Sequence, residues 1–204
     1  MSSGGNRVAV FVRTPEPGKV KTRLAEAVGE AVALQAYVEL VEGTLDALEE
    51  GAFDCELWFD GARNDHLKRW QADYGLPAFR QPERDLGGRM LAAFEAGAKV
   101  VVGSDIPVLD AAYVKKALST LAHADAVLGP VEDGGYCLVG MNAPHPELFR
   151  SIPWSTDAVV EQTLSRGVAA GLDIALLDRL WDVDDYRDYV RWRKALPQAG
   201  ETLR

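Results

Sequence analysis

The chain has 204 residues and a formal net charge of −9, and 48% of its residues are hydrophobic. This length favours one sizeable domain over two. The acidic balance argues against partners that need a basic face, namely nucleic acids and anionic membrane surfaces, but it allows a small anionic ligand at a local basic cluster.

Strand-like and helix-like segments alternate along most of the chain. Strands are predicted at 7–12, 54–60, 78–81, 99–103, 126–131, 136–141 and 173–177, and helices at 21–50, 64–74, 85–98, 110–122, 155–171 and 185–195. Gly29 and Gly43 weaken the first helix, so it is predicted either to bend or to divide in two. Ser155 or Thr156 is predicted to cap the helix that starts there, with a contact to a ligand as the alternative.

The alternation of strands and helices predicts an α/β fold with a mostly parallel, mixed sheet flanked by helices. The segments 126–131 and 136–141 are joined by a Glu-Asp-Gly-Gly turn and are predicted to form an antiparallel, hairpin-like pair. We predict a disordered leader at 1–6, a single domain at 7–196 and a loose tail at 197–204.

The two cysteines, Cys55 and Cys137, lie in apolar strand-like runs and are predicted to be buried thiols, not a disulfide or a metal pair. Free thiols suit a reducing compartment, so we predict a cytoplasmic protein. No apolar run approaches the roughly 20 residues of a membrane span, and residues 1–6 have no apolar signal core. Apolar strand edges or helix faces could support a homodimer.

The most informative segment is residues 11–24, FVRTPEPGKVKTRL, in which a predicted strand opens into a loop with proline, glycine and basic residues. Pro15 stiffens this loop, and Gly18 permits a turn or the close approach of a ligand. Lys21 and Arg23 are predicted on the first turn of a helix, where cations oppose the helix dipole unless an anion lies nearby. The segment therefore predicts a phosphate site, with a solvated charged turn as the alternative.

A single carboxylate, Asp105, follows the buried strand at 99–103 within the segment GSDIP. Mg²⁺ in proteins typically takes one or two carboxylates, waters and substrate phosphates. Ligands of open α/β sheets bind at the carboxyl ends of the strands, so the basic loop and Asp105 are predicted to share one side of the sheet. The alternative for Asp105 is a turn or helix-capping role.

Three further segments are candidates for the site. Asp133 opens a DGGY sequence whose glycines let the backbone pass close to a ligand, although a plain hairpin turn is the alternative. Arg89 follows paired glycines at a predicted helix start and offers a bidentate donor, although it could be solvated. Asp182 and Asp184 alternate as on a strand and could supply a second metal ligand, unless Asp184 or Asp185 caps the last helix.

Six motifs in order resemble an uncharacterised glycosyltransferase-like family associated with radical-SAM and selenium-domain proteins. They are FVRTPEPGKVKTRL at 11–24, DLGGRM at 85–90, GSDIP at 103–107, GPVEDGGY at 129–136, PWST at 153–156 and WDVD at 181–184. The family is similar to the GT-A-type nucleotidyl- and glycosyltransferases, which include the molybdenum-cofactor and 2-phospho-lactate guanylyltransferases. The resemblance spans about residues 7–190 and implies a GT-A or Rossmann-like fold.

The resemblance also implies roles for individual residues. Lys21, Arg23 and Asp133 would be catalytic, and Asp105 and Asp184, or Asp182 in its place, would hold Mg²⁺ or Mn²⁺. The implied nucleotide-binding residues are Pro15, Gly18, Lys21, Arg23, Gly88, Arg89 and Ser104. The implied acceptor-side residues are Tyr136, Trp154 and Ser155.

These implications predict a metal-dependent transferase that uses a nucleotide or nucleotide-sugar and a small-molecule acceptor. Two reactions remain open: transfer of a sugar from an NDP-sugar, and transfer of a nucleotidyl group from an NTP. The first basic loop lacks the paired glycines of guanylyltransferases, and GSDIP lacks the Asp-x-Asp of many glycosyltransferases. The rival hypothesis is a non-catalytic nucleotide- or metabolite-binding module that retains the fold.

Overall fold

The computed structural model describes residues 6–196, so most of the predicted leader and all of the predicted tail lie outside the described residues. The strands are β1 (Arg7–Arg13), β2 (Asp54–Asp60), β3 (Ala78–Arg80), β4 (Val100–Val102), β5 (Ala126–Pro130), β6 (Tyr136–Met141) and β7 (Ile174–Leu176). The α-helices are α1 (Thr22–Val28), α2 (Glu30–Glu50), α3 (Asp65–Asp73), α4 (Leu86–Glu95), α5 (Ala111–Thr120), α6 (Val159–Ala170) and α7 (Tyr186–Ala195), and a short 3₁₀ helix covers Pro146–Phe149. No described helix is long and apolar enough to cross a membrane.

The strands form one seven-stranded mixed sheet in the order β3-β2-β1-β4-β6-β5-β7. Strand β6 runs antiparallel to both of its neighbours, β4 and β5, and the other pairs are parallel. The predicted mostly parallel α/β fold and the antiparallel pair β5–β6 are confirmed. Because β6 is reversed, its first residue lies at the same sheet edge as the carboxyl ends of β1 and β4.

Alternate residues of the central strands pack on opposite faces of the sheet. Val8 and Val10 of β1 belong to the apolar cluster that includes side chains of α2, α3 and α5, whereas Ala9 belongs to the cluster that includes α4. This two-sided burial explains the continuous valine runs in β1 and β4, because a strand covered by helices on both faces has no polar side. Cys55 and Cys137 are both buried free thiols, as predicted.

A third apolar cluster positions the segment that enters α7. It joins Leu24 of α1 and side chains of α2 to Trp181, Val183 and Trp192. Val183 is fully buried, and its N–H donates to the carbonyl of Asp105 at 3.1 Å. The two acidic neighbours of Val183 are therefore carried to the carboxyl end of β4.

The predicted helix 21–50 is divided into α1 and α2. Gly29 lies between them with φ 83° and ψ 157°, which are not helical angles, so the helix cannot continue through it. Residues with a Cβ rarely adopt this positive φ, whereas glycine does so readily. Lys21 was predicted on the first turn of this helix, and that prediction is wrong. Lys21 precedes α1 in the left-handed conformation, with φ 46° and ψ 47°.

The start of α6 corrects the predicted helix at 155–171. Ser155 has φ +64° and lies in a turn, and the helix begins four residues later at Val159. The residue before α6 is Ala158, which offers no side-chain cap, so the prediction that Ser155 or Thr156 caps the helix is wrong. Thr156 instead donates its hydroxyl to the carbonyl of Pro153 at 2.7 Å.

Asp182 and Asp184 do not lie on a strand, contrary to the sequence pattern. The last strand, β7, ends at Leu176, and only an isolated bridge between Val131 and Leu180 continues toward these aspartates. They are held instead by the burial of Val183. The predicted cap of α7 is Asp185, whose side chain accepts from the N–H groups of Arg187 and Asp188.

The turn between β5 and β6 supports the entrance to α6 through backbone contact. Gly134 has φ +90°, and a Cβ added to it would lie 2.2 Å from the carbonyl oxygen of Asp157. The carbonyl of Gly134 also accepts from the N–H of Val160 at 3.0 Å. Gly171, which ends α6 with φ +70°, has no atom within 4 Å of an added Cβ.

Gly134→Ala is expected to destabilise the protein more than Gly171→Ala. The Gly171 variant has the strain of a left-handed alanine, about 1–2 kcal/mol, whereas the Gly134 variant adds a clash with backbone and is expected to lose about 3 kcal/mol or more. Thermal unfolding followed by circular dichroism measures both, at about 2–4 °C per kcal/mol for a chain of this size. Equal losses in the two variants would contradict the proposed packing of the turn against α6.

Candidate active site

A large cavity of about 560 Å³, the first cavity, opens at the carboxyl ends of β1 and β4. Its walls come from the loop between β1 and α1, the start of α4, and the segments that contain Asp105 and Asp184. The predicted convergence of the basic loop and Asp105 on one side of the sheet is therefore confirmed. This is the position at which open α/β sheets bind ligands.

Three aspartates form an acidic cluster at the edge of this cavity. One carboxylate oxygen from each of Asp105, Asp182 and Asp184 lies within 4.8 Å of the other two. Asp105 follows β4, and the other two come from the segment that precedes α7. Oxygen ligands in this arrangement suit a hard divalent cation such as Mg²⁺ or Mn²⁺.

Lys21 is hydrogen-bonded to two members of this cluster. Its Nζ donates to Asp105 Oδ2 at 3.1 Å and to Asp184 Oδ1 at 2.9 Å, and its side chain is only 6% exposed. Burial alone would lower the pKa of Lys21, but the two carboxylates outweigh burial and raise that pKa above its ordinary value. Lys21 is therefore positively charged. In its predicted contact with nucleotide phosphates, the ammonium group would remain beside the carboxylates of Asp105 and Asp184.

Asp182 is the member of the cluster without a hydrogen bond to Lys21. Its burial, followed by the negative charges of Asp105, Asp184 and Asp133, raises its pKa to about 7. A second source of positive charge is therefore what this cluster needs, and the three carboxylates fit a divalent cation.

Two arginines, Arg13 and Arg23, also line the first cavity. Arg23 is 76% exposed and its guanidinium lies 3.8 Å from Asp184 Oδ2, so most of its hydrogen-bonding capacity is free. Arg13 donates to the carbonyl of Lys19 at 3.3 Å. These two side chains and Lys21 give the cavity a cationic wall that can accept phosphate groups.

Arg89 also lines the first cavity, but its guanidinium is already engaged. It donates to Asp60 Oδ2 at 2.6 Å, to Gln81 Oε1 at 3.3 Å and to the carbonyl of Arg84 at 2.8 Å. The sequence interpretation missed Asp60 and Gln81. Asp60 could have been predicted in the site, because it ends the buried strand β2 just as Asp105 closely follows the buried strand β4.

Hydrogen bonds beneath the cavity fix the end of β1. Tyr37 of α2 is buried, and its hydroxyl donates to the carbonyl of Arg13 at 2.9 Å and accepts from the N–H of Arg13 at 2.7 Å. Burial raises the pKa of Tyr37 to about 12, so the phenol remains protonated. Ser104, predicted to bind nucleotide, lines the cavity while its hydroxyl donates to the carbonyl of Phe11 at 3.1 Å.

Three residues that were predicted to bind nucleotide lie outside the walls of the two described cavities at this edge. Pro15 is buried and its carbonyl accepts from Asn64 Nδ2 at 2.7 Å. Gly18 lies beside the carboxylate of Glu30. The N–H of Gly88 donates to Asp85 Oδ1 at 2.8 Å as part of the cap of α4, so that N–H is already paired. These residues shape the loops that carry the site.

A second cavity of about 310 Å³ adjoins the first. The two share a boundary that includes Phe11, Leu86, Asp105 and Asp184. The acidic cluster therefore lies where the two cavities meet. A donor molecule in one and an acceptor molecule in the other would have their reacting groups beside these carboxylates.

The residues predicted on the acceptor side line this second cavity. Tyr136 and Trp154 meet edge to face with ring centroids 6.3 Å apart, and Ser155 belongs to both cavities. Asp133 lines the second cavity and its Oδ1 accepts from the N–H of Gly135 at 2.8 Å. Their roles with an acceptor stay predictions.

Asp182→Asn is expected to stabilise the protein in EDTA at pH 8 and to stabilise it less, by roughly two-fifths as much, at pH 5. The folded-state pKa of about 7 exceeds the ordinary 3.8, so the folded wild type binds more protons than the unfolded chain between these values and loses stability as pH rises through them. With allowance for partial exposure, the gain at pH 8 is on the order of 1 kcal/mol.

Melting temperatures at both pH values measure this effect. Asp178→Asn is the control, because Asp178 is exposed, pairs with Lys116 and lies outside the cluster. The control is expected to show no gain at pH 8. A loss of stability at pH 8 in Asp182→Asn would contradict the assignment of Asp182 as a destabilising charge.

Comparison with known proteins places the chain in a family. The DUF2064 family model, described as an uncharacterized protein conserved in bacteria, matches residues 44–156. No curated protein matches the chain. A crystal structure from Desulfovibrio desulfuricans G20, named as a candidate nucleotide-diphospho-sugar transferase, is 34% identical with a TM-score of 0.84, over 95% of this chain and 88% of that one.

More distant structures share the fold alone. The inositol-1-phosphate CTP transferase from T. maritima is 11% identical with a TM-score of 0.58, over 95% of this chain and 96% of that one. Rv0371c of Mycobacterium tuberculosis H37Rv, in complex with manganese, is 15% identical with a TM-score of 0.53, over 94% of this chain and all of that one. The predicted nucleotide-diphospho-sugar transferase-like fold is confirmed, and the chain belongs to the DUF2064 family of bacterial proteins.

Proposed function

We propose that the protein is a metal-dependent transferase that takes a group from a nucleotide donor to a small acceptor. The observation that carries this proposal is the position of the acidic cluster between two adjoining cavities, the first of which has a cationic wall. A structural salt bridge needs no cavity on either side of it. A transferase needs two binding spaces that meet at the reacting atoms.

The proposed metal ligands are Asp105, Asp182 and Asp184, and the cation is Mg²⁺ or Mn²⁺. The shared need of the three carboxylates for positive charge supports this assignment, and the manganese complex of the distantly similar Rv0371c is consistent with it. When bound, the cation would neutralise phosphate oxygens of the donor and charge that develops on the leaving group. Lys21, held between two of these carboxylates, supplies one further positive charge at the same place.

The donor is proposed to occupy the first cavity. Its volume of about 560 Å³ lies within the range of small-ligand pockets, about 300–1,000 Å³. Arg23 is exposed and largely unpaired, so it can turn toward a phosphate without breaking a strong contact. Arg89, already bonded to Asp60, is proposed to order the wall of the cavity through α4 and not to clamp a phosphate directly.

The donor is proposed to be an NDP-sugar or an NTP. The name of the 34% identical relative supports an NDP-sugar, and the cytidylyltransferases among the distant structures support an NTP. Both donors place a polyphosphate beside the same cations. The radical-SAM association, the cytoplasmic location and the homodimer stay predictions.

Thermal shift with NTPs, NDPs and NDP-sugars, each with and without Mn²⁺, tests the proposal. At a ligand concentration of 100 times Kd, binding adds about 2.7 kcal/mol of stability, which is expected to raise the melting temperature by several degrees. Asp105→Asn is expected to abolish the metal-dependent part of the shift and to lower turnover at least a hundredfold. Asp73→Asn, on the exposed side of α3, is the matched control and should behave like wild type.

Two outcomes would contradict the proposal. The first is the absence of a shift with every nucleotide, which would remove the donor site. The second is a nucleotide shift without turnover that is equally large in Asp105→Asn, which would favour the rival hypothesis of a non-catalytic nucleotide-binding module.

A further inference from the structure

The two cavities differ in the charges that line them. The first is lined by four cationic side chains, Arg13, Lys21, Arg23 and Arg89, and by three aspartates, Asp60, Asp105 and Asp184. None of the described residues that line the second cavity is a lysine, arginine or histidine, and four of them are aspartates. The two cavities are neighbours on one side of the same sheet. Because their charged side chains differ, each cavity favours a different class of ligand.

The second cavity is unfavourable for a phosphorylated molecule. Its aspartates are Asp133 and the three members of the acidic cluster. When all four are ionised, Lys21, Arg23 and a bound divalent cation together only balance their charge, so no positive charge remains for a phosphate. A phosphate monoester would add up to two more negative charges beside them, with no arginine or lysine of this cavity to bind it.

Apart from Ser155 and Thr156, the remaining side chains that line the second cavity are mainly apolar or aromatic. Met90, Val139 and Val159 line it from α4, β6 and α6, and Trp154 and Tyr136 add two aromatic rings. Apolar walls of this kind bind a hydrocarbon or aromatic body, because they remove its surface from water. The volume of about 310 Å³ is at the small end of ligand pockets, so the body is a single ring or a short chain.

We propose that the acceptor is an uncharged hydroxyl compound with a small apolar body. This inference rests on the proposed function, and it bears on the choice between an NDP-sugar and an NTP as the donor. Nucleotidyl transfer to a phosphorylated acceptor would place an anion in the second cavity, whereas glycosyl transfer to an alcohol places none. Of these two reactions, the lining of the second cavity therefore favours glycosyl transfer from an NDP-sugar.

The bond changes in this reaction balance without a further reactant. A C–O bond forms between the acceptor oxygen and the anomeric carbon of the sugar, and the bond from that carbon to the phosphate oxygen breaks. The NDP leaves with the electron pair of the broken bond, and the cations of the first cavity stabilise its charge. The hydroxyl proton passes to Asp133, the aspartate of the second cavity that lies outside the metal cluster.

Matched pairs of ligands test the acceptor class. The probes are butan-1-ol, cyclohexylmethanol and 2-phenylethanol, each compared with its phosphate monoester, in the presence of Mn²⁺ and the nucleotide that gives the largest thermal shift. Ligand-observed NMR measures binding, and release of NDP from NDP-sugars or of pyrophosphate from NTPs measures transfer. At least one alcohol is expected to bind tenfold or more tightly than its phosphate and to support NDP release.

Variants of the second cavity show where the probes bind. Val159→Phe fills the cavity from α6 and is expected to weaken alcohol binding at least tenfold while the nucleotide shift is retained, which also shows that the variant is folded. Val168→Phe, on the same helix and 80% exposed, is the matched control with wild-type binding. Should Val159→Phe fail to fold, Thr156→Trp narrows the same cavity from an exposed position.

The outcomes separate this inference from the proposed function. A phosphate monoester that binds as tightly as its alcohol, or that supports pyrophosphate release from an NTP, would overturn the acceptor class while the nucleotide-dependent transferase stands. Failure of every alcohol to bind while the nucleotide shift persists would also overturn it. Loss of the nucleotide shift itself would instead contradict the proposed function.

Discussion

The contact between the Lys21 ammonium and the carboxylates of Asp105 and Asp184 is the interaction on which the site depends. It brings together three parts of the chain: the loop after β1, the end of β4 and the segment before α7. Three aspartates at one sheet edge repel one another, and a single lysine offsets only part of that repulsion. Burial and the neighbouring carboxylates raise the pKa of Asp182, and a bound divalent cation would offset the repulsion among the three aspartates.

The rest of the fold serves to hold these charges between two unlike spaces. Burial of Val183 fixes the spacing of its acidic neighbours, and the packing of Gly134 against Asp157 fixes the turn that carries Asp133. The resulting first cavity carries four cationic side chains beside its aspartates, whereas the second is largely apolar and has aspartates but no cationic side chain among its described lining residues. The cations of the first cavity would bind the phosphates of a donor, and the second cavity would bind an acceptor that has no phosphate.

Much of this arrangement follows from the sequence because it depends on local pattern. Valine-rich runs predicted buried strands, and the topology of parallel sheets placed Asp105 beside the basic loop. Other features depend on tertiary contacts that periodicity does not encode. Because Ser155 is left-handed, α6 begins later than predicted. The partners of Lys21 come from 84 and 163 residues away in the chain. Asp182 and Asp184 reach the cluster through the burial of Val183 and not through a strand.

Equilibrium binding of Mn²⁺, followed by the electron paramagnetic resonance signal of the free ion, tests whether the acidic cluster is a metal site. We expect one saturable site per chain, which is lost in Asp105→Asn. Its affinity for Mn²⁺ is expected to rise when a nucleoside diphosphate is added, because the cation and the cationic wall would bind the same phosphates. Binding that does not saturate, or that is the same in wild type and in Asp105→Asn, would contradict a metal site at the junction of the two cavities.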